Sequence, residues 1–400
     1  MATRPGFPQL DAQAYSHWIE VDLSALERNL KNIEHVSRAP VLPVLKSDAY
    51  GHGAPIVAAF LKSRGYSLIA VSSLEEALEI QTFVTISILV LTPPLLSQVP
   101  LFLESRLIAT VSAPETLTAL AHLAQKKRRQ VAFHLKIDTG FGRLGLAPEE
   151  LVPLVETLGN MPYLELEGVF THFPAAARDR AFTKRQLGLF LGLKEKVSTQ
   201  GASEHVVWHV ANSAAFLTLP ESHLDLVRIG TLLYGQSPVP DELPCALAPT
   251  WQFKSRIIQI RTLPPGHSVG YGRTYRTKKP TRLGVIPVGY GHGLELEPLS
   301  TPWRQIKQAL GHELRGTQCV YHPFGPLPIL GRVGMGLTSV DLSKIPQAKV
   351  GDVVSIAMRR VTASARVPRV YYLDGISKCV FWNHQVWSPQ GRLLSLQGLF

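Results

Sequence analysis

Cysteine is scarce in this sequence, with only Cys245, Cys319 and Cys379 among 400 residues. Three widely separated cysteines cannot build the disulfide framework of a small secreted domain, and they lack the paired spacing of a zinc site. We therefore expect a reducing compartment and no bound metal.

The sequence also lacks an apolar signal segment and a long uninterrupted hydrophobic run. Its first 14 residues contain two prolines and an aspartate but no apolar core. Residues 83–103 carry no charge, yet three prolines interrupt them, which predicts a buried strand followed by a turn. These features predict a cytoplasmic protein without a membrane anchor.

Clustered charge is nearly absent as well. Lysine and arginine total 41 against 30 acidic residues, a formal net charge of +11, but the basic residues are scattered except for a run at 126–129. A nucleic-acid partner is therefore not expected, whereas a small anionic ligand suits the charge. The 45% hydrophobic content predicts a well-packed globular protein.

Short apolar runs alternate with stretches of helical spacing through the first 232 residues. In one such stretch, Ser112 and Glu115 have the spacing of a capping box. Eight near-continuous apolar runs separated by helices predict a parallel (β/α)₈ barrel, with an open doubly wound sheet as the alternative. The runs are 41–45, 68–71, 84–91, 107–111, 131–137, 166–170, 206–210 and 224–229.

The pattern changes after Gly235, where a proline-rich passage leads into segments that resemble strands. These segments predict a C-terminal, mostly-β domain. We expect an N-terminal extension at 1–16, the barrel at 17–237 and the β-domain at 238–400, with a weakly patterned insertion at 294–326. The predicted strands of this domain are 252–261, 282–288, 328–333 and 352–358.

Polar residues follow the predicted barrel strands at their carboxyl ends, where barrel enzymes place their active sites. Lys46 closes the first run, and Arg228 lies in the eighth. A lysine in an apolar strand end is costly unless it is paired or bound, and lysine forms Schiff bases with carbonyl cofactors. Glycine-containing turns and Ser213 before a helix suit a phosphate group. This combination favours pyridoxal phosphate over a nucleotide.

Five motifs in order make residues 17–380 resemble the alanine racemases, fold-type III pyridoxal-phosphate enzymes with an N-terminal barrel and a C-terminal β-domain. The motifs are VLKSDAYGHG at 44–53, LKIDTG at 135–140, THF at 171–173, HVANS at 209–213 and VGYG at 269–272.

The resemblance implies a two-base mechanism with two catalytic residues. Lys46 would hold pyridoxal phosphate through a Schiff base and act as the base on one face of the substrate. Tyr271 would act on the other face, reaching the site from the partner subunit of a homodimer. His172 would hydrogen-bond Tyr271 and link it to Arg228, which would face the pyridine nitrogen and keep it unprotonated.

Further roles follow from the same resemblance. Arg143 and Met335 would bind the substrate carboxylate, and Lys136 would be carbamylated so that it orients Arg143. The remaining cofactor-binding and supporting residues would be Tyr50, Asn212, Ser213, Gly230, Thr231 and His209.

The β-domain departs from the family pattern near the expected entrance of the site. Gly291 and His292 replace an alanine and an aspartate of the family, while Gly334 and Gly336 replace a cysteine and an aspartate. The segment before Arg366 is shorter than in the family and lacks an in-register tyrosine that touches the cofactor phosphate. These changes would widen the entrance or weaken phosphate binding.

The leading hypothesis is an isomerase that interconverts L- and D-alanine and supplies D-alanine for peptidoglycan. A pyridoxal-phosphate racemase of broader specificity is the second, because a removed barrier admits a larger side chain. The third is a weakly active or non-catalytic relative that binds the cofactor.

Overall fold

The computed structural model describes residues 15–199, 205–240, 246–296 and 319–400. Two compact units are present: Ala25–Pro249 with residues 396–398 and 400, and Met1–Ser24 with Thr250–Ser395 and Leu399. Residues 1–14 of the predicted extension, Cys245 and residues 297–318 of the predicted insertion lie outside the described residues.

Eight parallel strands form a closed barrel in the first unit. Strand β2 pairs with β9, β3 pairs with β4, and β5 to β8 pair in sequence; single bridges at Val44–Ala70 and Leu89–Ile108 connect neighbouring groups. The barrel fold predicted from the alternating pattern is confirmed. Numbered in chain order, its strands are β2 (Val41–Pro43), β3 (Leu68–Val71), β4 (Ser87–Val90), β5 (Ala109–Val111), β6 (Val131–Lys136), β7 (Leu164–Phe170), β8 (Val207–His209) and β9 (Val227–Ile229).

Helices follow the barrel strands. Because helices cover the outside of a parallel barrel and side chains fill its interior, its strands are buried on both faces, which explains their continuous apolar runs. The helices are α1 (Leu23–Val36), α2 (Lys46–Gly51), α3 (Ala54–Ser63), α4 (Leu74–Gln81), α5 (Val99–Ser105), α6 (Pro114–Lys127), α7 (Leu151–Thr157), α8 (Arg180–Thr199) and α9 (Ser213–Thr218).

The capping box predicted at Ser112 and Glu115 is wrong. Helix α6 has Ala113 at its N-cap without a side-chain cap, and Pro114 occupies its first turn. Proline starts a helix well because its φ is preset and the missing N–H has no helical partner there. The serine therefore lies one residue too early to cap this helix.

The uncharged stretch 83–103 folds as the predicted strand, β4, and a proline-containing turn, followed by α5. Among the described residues, no helix is long and apolar enough to cross a membrane.

The second unit is rich in β structure, as predicted. Its largest sheet has eight strands in the order β16-β15-β18-β10-β1-β19-β20-β21. A three-stranded sheet, β11-β14-β17, and a two-stranded sheet, β12-β13, complete it. The bounds are β1 (His17–Asp22), β10 (Trp251–Arg256), β11 (Gln259–Leu263), β12 (Ser268–Val269), β13 (Tyr275–Arg276), β14 (Thr281–Ile286), β15 (Val320–His322), β16 (Gly325–Leu327), β17 (Thr338–Asp341), β18 (Val353–Ile356), β19 (Arg369–Leu373), β20 (Ile376–Trp382) and β21 (Gln385–Trp387).

Three details of this unit differ from the sequence-based expectations. The predicted strand 252–261 is two strands, because β10 and β11 pair in different sheets. Residues 328–333 form a single bridge, Ile329–Val340, rather than a strand. Residues 17–22 fall in the range expected for the barrel, yet they form strand β1, which pairs with β10 and β19. Local sequence does not reveal these partners, because they lie more than 200 residues away in the chain.

Asn29 of α1 forms three hydrogen bonds with the backbone of the segment that follows the last barrel strand. Its Nδ2 donates to the carbonyls of Leu233 and Ala248 at 3.2 and 2.9 Å, and its Oδ1 accepts from the N–H of Ala248 at 2.7 Å. The neighbouring Asn32 makes one such bond, to the carbonyl of Ala246 at 2.8 Å.

We expect Asn29→Ala to lower the free energy of unfolding by about 1–3 kcal/mol, because buried backbone groups lose their partners. Asn32→Ala is the matched control and should cost less than about 1 kcal/mol, since its bond is exposed. Urea unfolding measures the free energy of unfolding of both variants. Equal decreases in the two variants would contradict the role given to Asn29.

Candidate active site

Lys46 begins a strained turn directly after β2. Ser47, Asp48, Ala49 and Tyr50 all have left-handed backbone conformations, with φ between 51 and 55°. Consecutive left-handed residues other than glycine are costly, so this turn needs outside support. The strain fixes the direction in which the Lys46 side chain leaves the barrel strand.

Glu76 of α4 supplies part of that support. One of its carboxylate oxygens accepts from the N–H of Ser47, and the other accepts from the N–H and the hydroxyl of Ser72, both at 2.8 Å. The carboxylate of Asp48 accepts from the N–H of Ala54 at 2.7 Å. Charge-assisted bonds of this kind are stronger than neutral ones, and together they offset the strain of the turn.

The half-buried amine of Lys46 lies among other cations. Burial lowers the pKa of Lys46, Arg143 and Arg228 lower it further, and the carboxylate of Glu76 partly opposes them. A lowered pKa increases the fraction of neutral amine at neutral pH, and only the neutral amine attacks a carbonyl carbon. This direction of the pKa is the one that suits a lysine expected to form a Schiff base.

Arg228 of β9 is 3% exposed, and its guanidinium is held from several directions. It donates to the carbonyls of Thr171, His209 and Val210 at 2.8, 3.0 and 3.1 Å, and to Nδ1 of His209 at 2.9 Å. Burial lowers the pKa of Arg228 to about 9, so the group remains a cation at neutral pH. These bonds fix a positive charge at the barrel rim.

His172 connects Arg228 to the first turn of α9. Its Nδ1 lies 3.4 Å from the Arg228 guanidinium, and its Nε2 lies 3.4 Å from the side-chain nitrogen of Asn212. Asn212 caps α9 by accepting from the N–H groups of Ala214 and Ala215. Burial and then Arg228 lower the pKa of His172 well below its usual range, so its imidazole is neutral.

A tight cradle lies where Tyr50, Ser213 and Gly230 meet. The N–H of Gly230 donates to the Ser213 hydroxyl at 3.0 Å. A Cβ atom on Gly230 would lie 2.2 Å from the Tyr50 hydroxyl, so the close approach requires glycine. Burial, with a smaller contribution from Glu76, raises the pKa of Tyr50 to about 12, which keeps it a neutral hydrogen-bond donor. Thr231 follows directly.

A third group follows β6. Burial alone would raise the pKa of Asp138, but four backbone N–H donors, from Gly140 to Arg143, together lower it. The loop is thereby wrapped around the Asp138 carboxylate. The guanidinium carbon of Arg143 lies 4.1 Å from the centre of the Phe141 ring. Burial and then Arg228 lower the pKa of Lys136 to about 8.

The structure brings together the barrel residues that the sequence predicted for the site. Tyr271 and Met335 belong to the other unit, where they are 76% and 67% exposed, and their roles stay predictions. The gathered residues are Lys46, Tyr50, Lys136, Arg143, His172, His209, Asn212, Ser213, Arg228, Gly230 and Thr231.

Sequence reasoning missed Glu76, His134 and Phe170. Ser73 and Glu76 have capping-box spacing, and Ser73 does cap α4, but that pattern does not reveal that the Glu76 carboxylate reaches Ser47. Phe170 packs under both Arg228 and Lys136, 5.2 and 5.4 Å from its ring centre, and looks like any core aromatic in the sequence.

A closed parallel barrel whose rim carries a reactive lysine, a polar cradle and a buried arginine is an enzyme-like (β/α)₈ architecture. The chain matches the family models of the alanine racemase N-terminal domain over residues 21–238 and of the C-terminal domain over residues 250–372. The chain therefore belongs to the alanine racemase family, as the sequence motifs predicted.

Individual relatives agree with this assignment. The alanine racemase of Desulfovibrio desulfuricans is 35% identical over 84% of this chain and 88% of its own length. That of Desulfosudis oleivorans is 36% identical over 86% and 87%, respectively.

Solved structures of the family are also similar. The alanine racemase of Clostridium difficile 630 superposes with a TM-score of 0.83 at 27% identity, covering 92% of this chain and 98% of its own. The Bacillus anthracis enzyme with bound L-Ala-P gives a TM-score of 0.80 at 27% identity, covering 92% and 97%.

Alanine racemases use pyridoxal phosphate, and the barrel residues fit this cofactor. Lys46 has an amine of lowered pKa that would bind the cofactor aldehyde. The cradle requires glycine at residue 230 and joins a hydroxyl, a backbone N–H and a phenol, the donors that a phosphate takes. Asn212 caps a helix start beside it, although α9 itself is short.

We expect Gly230→Ala to destabilise the cofactor-free protein by about 1–3 kcal/mol, the usual cost of overpacking, and to weaken pyridoxal-phosphate binding. The double variant Gly230→Ala with Tyr50→Phe should recover part of the stability, because the hydroxyl is the nearest clashing atom. Thermal unfolding and a fluorescence titration with the cofactor measure both effects. Wild-type stability in Gly230→Ala would show that the cradle is not as tight as described.

Proposed function

We propose that the protein is a pyridoxal-phosphate-dependent racemase that interconverts L-alanine and D-alanine. The observation that carries the proposal is the arrangement around Lys46: a half-buried amine of lowered pKa beside the buried cation Arg228. The chain is 35% identical to a protein named alanine racemase, and this similarity supports the same reaction. Its place in the cell would be the cytoplasm, supplying D-alanine for peptidoglycan.

Pyridoxal phosphate, when bound, supplies an electron-withdrawing ring that acidifies the α-hydrogen of an attached amino acid. Lys46 would hold the cofactor through its amine, and the same amine would accept the α-proton on one face of the substrate. Tyr50, Ser213 and the backbone of Gly230 and Thr231 hold the phosphate.

Arg228 sets the electronic character of the site. Three carbonyls and one imidazole accept its hydrogen bonds, so the guanidinium keeps its charge and cannot donate a proton readily. In the proposed site, Arg228 would be the residue next to the ring nitrogen of the bound cofactor, and a fixed cation there would disfavour protonation of that nitrogen. The ring would then withdraw electrons less strongly, and side reactions such as transamination would be suppressed.

Racemisation needs a second acid/base on the opposite face, and we assign this role to Tyr271. It starts a short turn between two glycines with left-handed backbones, Gly270 and Gly272, at φ of 71 and 68°. Its side chain is largely exposed, and in the proposed homodimer it would enter the partner's site. Arg143 and Met335 would meet the substrate carboxylate, while His172 and His209 support Tyr271 and Arg228.

A broader substrate range is the second candidate, favoured by Gly336. A Cβ atom at this position would have only the His292 ring within 4 Å, at 3.9 Å, so the missing side chain leaves space at the expected entrance. Removal of a side chain at a site entrance admits substrates with more bulk, at a discrimination of about 10- to 200-fold per methylene.

Proton NMR in heavy water with pyridoxal phosphate and L-alanine tests the proposal, with the chirality of recovered alanine measured alongside. We expect α-proton exchange together with the appearance of D-alanine. The same assay on L-serine and L-2-aminobutyrate separates the two candidate substrate ranges. Absence of exchange with every substrate would contradict the proposed function.

Variants of Tyr271 and Lys46 test which of the two bases acts on each face of the substrate. Tyr271→Phe should reduce conversion of L- to D-alanine by about 10²- to 10⁴-fold, the usual contribution of an acid/base group, while cofactor absorbance persists. Lys46→Ala should abolish the absorbance of the lysine-bound cofactor. Wild-type turnover in Tyr271→Phe would show that Tyr271 is not one of the two bases.

Lys136 provides a separate test. With its pKa lowered to about 8, a substantial fraction of the amine is neutral at slightly alkaline pH and can add to carbon dioxide, releasing one proton as the carbamate forms. We expect a carbamate resonance in the ¹³C NMR spectrum of protein exposed to ¹³C-bicarbonate. Lys136→Ala should lose this resonance; a spectrum without it in the unmodified protein would exclude the modification.

A further inference from the structure

A chain of polar groups runs through the barrel interior from Arg228 toward the amino ends of the strands. The Arg228 guanidinium donates to Nδ1 of His209 at 2.9 Å, and Nε2 of His209 lies 2.9 Å from Nδ1 of His134. Nε2 of His134 in turn lies 4.0 Å from a carboxylate oxygen of Glu167. The proposed function uses Arg228 and His209, but it assigns nothing to His134 or Glu167.

Because arginine only donates hydrogen bonds, the hydrogen bonds along these polar groups run in one direction. A guanidinium has only donors, so Nδ1 of His209 must accept and its Nε2 must carry the hydrogen. That hydrogen can only be donated to Nδ1 of His134, which leaves the hydrogen of His134 on Nε2, facing the Glu167 carboxylate. Arg228 thus determines the tautomers of two neutral imidazoles, and the Glu167 carboxylate lies at the far end as an electrostatic neighbour of the His134 Nε2–H, beyond hydrogen-bond distance.

Both imidazoles are kept neutral by their surroundings. Burial, followed by Arg228, lowers the pKa of His134 to about 3 and lowers that of His209 well below its usual range. Phe170 stacks on His209 with a ring separation of 5.0 Å and also packs under the guanidinium of Arg228. Neither histidine therefore takes up a proton at neutral pH. Each instead stays a neutral hydrogen-bonding group that helps to orient the Arg228 guanidinium.

The backbone makes space for His134 in two ways. A Cβ atom on Gly168 would lie 2.6 Å from the His134 ring, so this imidazole occupies the space that a side chain on β7 would fill. The pairing of β6 with β7 also shifts at this point: Phe133 is opposite Leu166, but His134 is opposite Gly168. Glu167 is the extra residue of that bulge, and bulges commonly redirect a side chain.

Glu167 lies where the chain of groups reaches solvent. It lines a cavity of about 780 Å³ with residues from the amino ends of neighbouring strands, among them Leu68 and Leu164. Burial and then the nearby Glu165 raise the pKa of Glu167 above its usual range. The side chain is 40% exposed, so a substitution here removes charge without opening the core.

We propose that His134 and Glu167 are positioning residues for Arg228, which they hold through His209 in the orientation that the racemase site requires. The inference rests on the proposed function for its catalytic consequence. Its structural content, two imidazole tautomers set by Arg228 and a carboxylate 4.0 Å from the far Nε2, belongs to the barrel itself.

Side-chain ¹⁵N NMR of the cofactor-free protein measures the proposed tautomers directly. In the unmodified chain we expect His209 and His134 as neutral Nε2–H tautomers that do not titrate across the neutral range. His134→Phe removes the acceptor of His209, so we expect a changed His209 tautomer signal and a shift of the Arg228 Nη resonances. Unchanged His209 and Arg228 signals would overturn the proposal.

Two further variants keep the test valid if His134→Phe folds poorly. Glu167→Leu removes only the distal carboxylate and should shift the His134 Nε2 resonance, whereas Glu167→Gln keeps an acceptor and should shift it less. Glu165→Leu is the matched control: it removes a carboxylate from the same strand and cavity that acts on Glu167 but does not contact His134, and it should shift the resonance less than Glu167→Leu does. Equal shifts for residues 165 and 167 would contradict a specific role.

The catalytic consequence is measured on the cofactor-loaded protein. We expect His134→Phe to reduce kcat by about 10- to 100-fold with little change in KM, as for loss of a residue that orients a functional group. Unchanged kcat would overturn the catalytic part of the proposal. Because the NMR measurement needs neither cofactor nor substrate, altered tautomers in a protein without racemase activity would refute the proposed function and leave the positioning network intact.

Discussion

The burial of one guanidinium constrains the site more than any other interaction. A charge such as Arg228 is costly inside a protein unless its donors are satisfied, and leaving it unpaired typically costs about 3–5 kcal/mol. The structure satisfies it with carbonyls from the carboxyl ends of two barrel strands and with the His209 imidazole. After burial, the same cation contributes to the lowered pKa values of Lys46, Lys136 and the neighbouring histidines, and it ends a polar chain through the barrel interior.

A second constraint acts on the lysine. Four left-handed residues after Lys46 store backbone strain, and the Glu76 carboxylate from outside the turn and the Asp48 carboxylate within it hold the turn in place. Rigid placement matters because a base must meet the α-carbon with an accuracy below an ångström to be efficient. The strained turn also places Tyr50 in the cradle at Gly230, so one segment positions both the amine and the phenol that we propose to bind the phosphate.

Much of this was predictable from the sequence, for identifiable physical reasons. Continuous apolar runs with polar ends are required by a parallel barrel, so the runs located the strands, and Lys46, His172 and Arg228 were found at their ends. Strand β1 was assigned to the wrong unit because local patterning does not encode a long-range partner. Glu76, His134 and Glu167 were missed because their contacts depend on a turn, a glycine gap and a bulge that leave no periodic signal.

The most direct test of the account is the ¹⁵N NMR spectrum of ¹⁵N-labelled pyridoxal phosphate bound to the protein, compared with the Arg228→Glu variant. A permanent buried cation beside the ring predicts an unprotonated pyridine nitrogen throughout the neutral pH range and a protonated one in the variant. A protonated nitrogen in the unmodified protein would contradict the role given to Arg228 and, with it, the reason for the polar chain behind it.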